Sequence, residues 1–368
     1  MHCMKIAQVT HLLLPATGGI EHHVYEISKE LVRRNNEVTI FTTAVKDAPK
    51  EEKIEGFGIK RFFSLNFPIF SSVRFPPMIF YALLKEDFDI YCSHGYGSLI
   101  PFITAVVALI KRKPFVFTLH GYPRQRGALA IFQKIYEMFV APVFLWKASG
   151  IISVSTITPP EMKRYERKIV YIPNGVSGKF ACDSSTSDKK AITYIGRLDK
   201  DKNIPLLIRG FAKLGSKELL LRICGKDEGA KPELEKLVDE LNIDAEFIEI
   251  PYERIRKVYC DSKAIVLPSR YEGFPLIWLE SIACSRPVFS TRVGDYRHFF
   301  SSIFGDDAEQ FLFDDEKELA EKLSIFLDNE KEYGAIIRKA RQKLMAEYDW
   351  KNVAKKTEEL YSQAIKKR

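Results

Sequence analysis

The chain has 368 residues, 46% hydrophobic and 28% charged, with a formal net charge of +8. That composition is globular and the length exceeds what one core serves, which excludes disordered and fibrous classes and predicts two domains. The positive charge suits an anionic partner. There is no zinc-finger spacing, aromatic RNA-binding signature or long basic block, so nucleic acid is set aside.

In chain order, Lys5–Val9 reads as a strand, followed by a loop that ends in Gly18-Gly19. Ile20, Val24, Ile27 and Leu31 then recur at helical spacing, and Glu37–Thr42 is the next strand. His22 and His23, in the first turns of that helix, read as surface residues. Asp89–Ser93 is strand-like and leads into the apolar run Leu99–Ile110, which is too short to cross a bilayer and reads as a buried helix. Asp87 and Asp89 form a D-x-D, but before their strand, so they read as a strand entry rather than a cation site. Pro114–Leu119 is a strand ending at His120-Gly121, a helix is predicted over 128–147, and Gly150–Val154 and Lys168–Ile172 are strands. After Pro173-Asn174-Gly175-Val176, the polar tract Ser184–Lys190 reads as an interdomain linker.

A second series follows: strand Ala191–Ile195, a helix from about Ile204, strand Leu219–Cys224, a helix over 231–241, and strands at Glu246–Ile248, Ala264–Leu267 and Pro287–Ser290. Strands alternating with helices predict doubly wound, mostly parallel sheets, two Rossmann-like domains facing across a cleft. The expected boundaries are 1–178, 190–346 and a C-terminal helix over 347–368. The six cysteines form no C-x-x-C and read as reduced thiols. With no signal-peptide pattern at the start, the expected location is cytoplasmic.

Three strand-end features could carry chemistry. Gly196-Arg197 and Lys202 leave one strand, and an arginine fork with a lysine point charge suits a diphosphate. Glu272-Gly273-Phe274-Pro275-Leu276 turns from another strand into a helix that carries Glu280, with Pro275 near a first helical turn. His120 could exchange a hydrogen bond with a sugar hydroxyl. Each also has a plain structural reading as a charged loop, a surface helix and a packed histidine.

Together these motifs resemble the retaining, nucleotide-sugar-dependent glycosyltransferases of family 4, with the GT-B fold. Glu272 and Glu280 stand in an E-x7-E arrangement, Gly196-Arg197 and Lys202 in G-R-x-x-x-x-K, and Gly18-Gly19, His120-Gly121 and Pro173-Asn174-Gly175-Val176 match the family's other landmarks. Tyr348-Asp349-Trp350 and the last helix look like its C-terminal segment, which crosses back to the first domain. The resemblance implies that Arg197 and Lys202 neutralise a departing diphosphate and that Glu280 binds the donor ribose. It places Glu272, with the backbone from Gly273 to Leu276, at the transferred sugar. It brings His120 to that sugar, and Gly19 to the diphosphate. Gly225, Ile250 and Tyr252 would border the base. It implies no cofactor and no metal, and front-face attack without a protein nucleophile.

The resemblance assigns acceptor binding to the first domain, where phenylalanines and prolines crowd 62–80 beside Arg61 and Arg74, and Tyr122, Arg124 and Arg126 follow His120. Apolar and basic side chains together suit a lipid-linked or phosphorylated acceptor and an anionic membrane surface. Ile250-Pro251 replaces a common glycine of the family, leaving the base open. Val293-Gly294-Asp295-Tyr296 lacks a usual second glycine. Two alternatives stand beside a transferase: a nucleotide-sugar epimerase of the same architecture, and a non-catalytic nucleotide-sugar-binding subunit.

Overall fold

Apolar strands followed by helix-spaced stripes fold as β–α units, because a strand buried on both faces needs a helix over each face of its sheet. The computed structural model describes residues 3–16, 18–67, 70–122, 128–182 and 189–367, with only the backbone at 66, 67, 70–75, 128 and 129. The predicted linker core, 184–188, and the acceptor candidates Arg124 and Arg126 lie outside the described residues. The chain divides into two compact units, Met1–Asn174 with Trp350–Arg368, and Gly175–Asp349.

In the first unit the elements are β1 (Lys5–Val9), α1 (Gly19–Arg33), β2 (Glu37–Thr43), β3 (Glu51–Ile54), β4 (Phe57–Phe62), β5 (Leu65–Phe67), β6 (Phe70–Phe75), α2 (Pro77–Lys85), β7 (Ile90–His94), α3 (Ile100–Ile110), β8 (Phe115–Leu119), α4 (Ala128–Ile135), α5 (Ala141–Lys147), β9 (Gly150–Ser153) and β10 (Ile169–Tyr171). Eight strands form one sheet in the order β10-β9-β8-β7-β1-β2-β4-β3, parallel except for the β3–β4 hairpin. The chain leaves β1 toward β2 and later returns to β7 on the other side. The β1/β7 gap is thus a topological switch point, where open sheets of this kind bind ligands beyond the strands' carboxyl ends.

The second unit contains β11 (Ala191–Ile195), α6 (Ile204–Leu214), β12 (Leu220–Cys224), α7 (Lys231–Leu241), β13 (Ala245–Ile248), α8 (Ile255–Cys260), β14 (Ser262–Leu267), α9 (Leu276–Ala283), β15 (Val288–Thr291), α10 (Tyr296–Phe304), β16 (Leu312–Phe313), α11 (Glu316–Asp328) and α12 (Glu330–Glu347). Its all-parallel order, β13-β12-β11-β14-β15-β16, puts the switch point between β11 and β14. The last helix, α13 (Trp350–Lys366), packs on α1 of the first unit. There the buried Glu358 accepts from Arg34 Nε and Asn36 Nδ2, both at 2.7 Å.

Two expectations are corrected and one is refined. The helix over 128–147 is present, but a π-helical turn, Tyr136–Val140, lies between its α-helical parts α4 and α5. Pro142 cannot donate to the carbonyl four residues back, and a widened turn just ahead of it relieves that mismatch. His22 and His23 are buried, not on the surface. Nor are all six cysteines reduced: Cys182 and Cys260 are bonded across 78 residues, a separation no short motif reveals. Asp87 and Asp89 do serve the strand entry, through Lys113 Nζ on Asp87 and the Lys5 amide on Asp89.

Candidate active site

The second unit's site is built from the loops after β11 and β14. Tyr194 donates its hydroxyl proton to the Arg197 carbonyl at 2.7 Å and bends the chain as it leaves β11. A Cβ on Gly225, at the end of neighbouring β12, would run into the Gly196 carbonyl, so glycine lets these two loops close up. Asp199 Oδ1 then accepts from the amides of Asp201 and Lys202 at 2.9 and 3.2 Å, capping a short 3-10 turn. The Arg270 amide donates to the Asp201 carbonyl at 2.8 Å and ties the two loops across the switch point.

That scaffold brings Lys202 Nζ to 2.6 Å from Glu272 Oε1, which also accepts from Ser269 Oγ at 2.8 Å. Ser269 is held in turn, since its carbonyl accepts from Thr291 Oγ1. Gly294 has φ +53°, and a Cβ there would strike the Glu272 and Gly273 carbonyls. Gly294 is the one glycine in Val293-Gly294-Asp295-Tyr296, the segment that lacks the family's usual second glycine. Arg197 is more open, paired with Glu228 at 3.0 Å and Asp199 at 3.5 Å. Two cations and exchangeable carboxylates therefore line one sheet edge. Beside them α9 begins after Pro275 with no side-chain cap, its first amides directed outward.

Glu280 lies inside α9 and is buried. Its two oxygens accept from Tyr252 at 2.6 Å and Tyr259 at 2.7 Å. Burial, and then the Glu280 charge, hold the Tyr259 hydroxyl well above its ordinary pKa, so it stays a donor. Tyr252 sits beside the half-buried Ile250, and Lys179 Nζ lies 5.2 Å from the centre of its ring.

In the first unit Gly18 and Gly19 precede and open α1, at the carboxyl edge beside the switch point. His120 follows β8 there, with a second histidine that the sequence reading missed. His94 ends β7, and its Nδ1 lies 3.1 Å from His120 Nε2. Its Nε2 is 2.7 Å from Gln8 Oε1, on β1. His23, from α1, completes the group. It bonds Asn174 at 2.9 Å, and its ring meets His120 edge-on at 4.6 Å. Burial lowers the His23 pKa to about 4 despite the Asn174 bond. Burial and then the neighbouring rings hold His94 and His120 well below the ordinary value, so all three imidazoles are neutral at pH 7. Ring nitrogens of the three lie within 4.8 Å of one another, although His94 spends both of its nitrogens on protein partners. The available signal was position, since His94 ends a strand flanking the switch point just as His120 ends the next one.

Tyr122 is buried and donates to Glu137 of the π-helical turn. Arg61 is buried as well, bonded to the Pro49 and Leu14 carbonyls, so it offers no charge to a lipid. Apolar side chains are exposed in the 62–80 segment, at Phe63, Leu65 and Met78, and also along α4 and the π-helical turn, at Ile131, Phe132, Ile135, Met138 and Phe139, with Trp146 on α5.

Comparison with known proteins decides the family. The description Glycosyltransferase Family 4 matches residues 17–178, and Glycosyl transferases group 1 matches 182–343. The chain belongs to the family 4 glycosyltransferases. This glycosyltransferase is 26% identical to the phosphatidylinositol N-acetylglucosaminyltransferase GPI3 subunit of Saccharomyces cerevisiae, over 97% of the chain and 82% of that protein. It is also 26% identical, over 92% of the chain and 93% of the relative, to a Campylobacter jejuni α-1,4-N-acetyl-D-galactosaminyltransferase named for a PP-undecaprenol-linked substrate. Among solved structures, sucrose-phosphate synthase from Thermosynechococcus elongatus matches 99% of the chain and all of its own, with TM-score 0.76 at 19% identity. Anabaena HepE in complex with UDP matches 98% of the chain and all of its own, with TM-score 0.78 at 16% identity. These likenesses show the GT-B fold.

Proposed function

We propose that this glycosyltransferase moves an N-acetylhexosamine, with retention, from a nucleoside-diphosphate sugar to a hydroxyl of a lipid-borne acceptor. The carrying observation is Lys202 on Glu272 across the β11/β14 switch point, with Arg197 beside it. An arriving diphosphate competes for both cations, and their charge stabilises it as it departs. Glu280 is assigned to the donor ribose, with Tyr252, Ile250 and Gly225 near the base. Residues Gly273 to Leu276 and Glu272 are assigned to the donor sugar. Glu272 already accepts from Lys202 and Ser269, which favours a sugar-holding role over a nucleophile. Front-face attack, with the leaving phosphate oxygen taking the acceptor proton, needs no further protein group and no metal. His120 is assigned to a sugar hydroxyl.

The lipid-borne acceptor rests on the relatives' names and on the exposed apolar face of α4. No helix among the described residues is long and apolar enough to cross a membrane, so the expected association is peripheral, at the cytoplasmic face. The test is a saturation-transfer NMR screen of nucleotide sugars, followed by transfer from the best binder to phosphatidylinositol and to undecaprenyl-diphosphate sugars, with and without EDTA. Lipid-dependent, EDTA-insensitive transfer with the anomeric configuration kept is expected. Inversion of configuration, or turnover to an epimer without acceptor, would sink the reading.

A further inference from the structure

Behind His120 runs a chain of buried groups with a direction. Tyr361, on α13, is wholly buried and hydrogen-bonded to Cys92. Its oxygen also receives Gln8 Nε2 at 3.2 Å. The other end of that amide, Gln8 Oε1, lies 2.7 Å from His94 Nε2, a distance that suits N–H···O better than N–H···N. His94 therefore carries its proton on Nε2 and presents a lone pair at Nδ1. Neutral His120, with its Nε2 3.1 Å away, must then donate to that lone pair. The register supports one continuous face. Gln8 pairs with Cys92 and His94 with Thr118, which places Gln8, Cys92, His94, Thr118 and His120 on the same side of the sheet.

We infer that Tyr361, Gln8 and His94 act as positioning residues that fix His120 as the Nε2–H tautomer, so that its Nδ1 lone pair faces the reacting sugars. A lone pair there accepts a proton-bearing hydroxyl, whereas the other tautomer would present an N–H to it. The last helix of the chain thus sets the chemistry of a strand-end histidine in the first third of the sequence. The tautomer rests on this geometry between neutral rings, and its consequence for transfer rests on the role proposed above for His120.

The test separates the two. In the full-length apo protein with 15N-labelled histidine, His120 should show a protonated Nε2 and an unprotonated Nδ1; a protonated Nδ1 overturns the inference. Tyr361→Phe keeps the shape and removes the group that orients the Gln8 amide. It should give mixed His120 tautomers and roughly tenfold lower kcat with UDP-N-acetylglucosamine as the probe donor, at unchanged donor KM. Gln8→Glu in the Tyr361→Phe background, as the carboxylate, only accepts from His94, so above the carboxyl pKa it should restore the single tautomer. A Tyr361→Phe protein with the wild-type tautomer and kcat overturns the relay, as does failure of Gln8→Glu to restore the tautomer in a folded protein. If the tautomers behave as stated while His120→Ala keeps full activity, the relay stands and the chemical role of His120 falls.

Discussion

The two units place opposite electrostatics at equivalent positions. At the β11/β14 edge, charge is kept: Arg197 is about half exposed, and Lys202 and Glu272 neutralise one another at 2.6 Å. At the β1/β7 edge charge is removed: three imidazoles are held neutral by burial and by each other. Each sheet has a switch point beside its first strand, and the two edges differ in the residues that end the strands there. An edge of paired ions suits a ligand that carries its own charge, and an edge of neutral donors and acceptors suits hydroxyl groups.

The largest break in this contrast comes from removing a cation. Arg197→Ala or Lys202→Ala should lower transfer by about 10²–10³-fold, the usual cost of losing a group that stabilises a developing anion. Circular dichroism and the melting temperature should stay near wild type for Arg197→Ala, whose partners remain solvated. Near-full activity in either folded variant would remove the diphosphate from this edge.

Acid sharpens the other side of the contrast. The folded His23 pKa of about 4 lies below its ordinary 6.5. Between those values the unfolded chain binds more protons, so stability is present above the ordinary pKa and is lost as pH falls toward 4. For His23 alone the loss between pH 7 and pH 5 is about 2 kcal/mol, with His94 and His120 acting in the same direction. Urea midpoints at the two pH values measure it, and His23→Gln should flatten the dependence. A midpoint independent of pH over that range would mean the cluster is not neutral by burial.

Glu280 tests the charged unit with a smaller effect. Glu280→Gln keeps the shape but not the charge of the group that receives Tyr252 and Tyr259. Under the ribose assignment, donor KM should rise about tenfold with kcat little changed. An unchanged KM would make Glu280 a purely structural anchor for two tyrosines.

Legibility followed the same division. Glu272 and Lys202 were readable because a short segment carries each one, after a recognisable strand and with a fixed spacing to its neighbours. The β–α alternation was readable too, since the central strands of both sheets, such as β8 and β14, are mostly apolar and buried runs. His94 and Gln8 were not readable as partners of His120. Eighty-six residues separate them, and only the strand order brings β1 beside β7. The Cys182–Cys260 bond was hidden for the same reason. The apolar period of 128–147 was visible, but periodicity says that a face is apolar and not whether protein covers it.

That uncovered face gives the last difference between the units. In the second unit the exposed large apolar residues, Leu241, Tyr271 and Ile325, are scattered, whereas the first unit carries a run of them along α4, the π-helical turn and α5, besides others such as Phe63, Met78 and Ile110. Met138 and Phe139 are each 66% exposed, and Trp146 is 68% exposed. Lys168 Nζ donates to the Leu145 and Trp146 carbonyls, which docks the basic segment 163–168 against α5. Apolar side chains with tryptophan and cations at their rim suit an anionic lipid interface, where each part meets its own layer. Flotation with phosphatidylglycerol-containing vesicles at low salt should therefore carry the protein upward, and neutral phosphatidylcholine vesicles should carry less. Met138→Ser with Phe139→Ser should reduce flotation several-fold, because each buried side chain contributes roughly 1.5–3 kcal/mol at full burial and less at an interface. Donor binding, assigned to residues away from the α4 face, should be unchanged in that variant. Equal flotation of the variant and the wild type would leave the α4 face without a membrane role, and with it the first unit's claim to a lipid-borne acceptor.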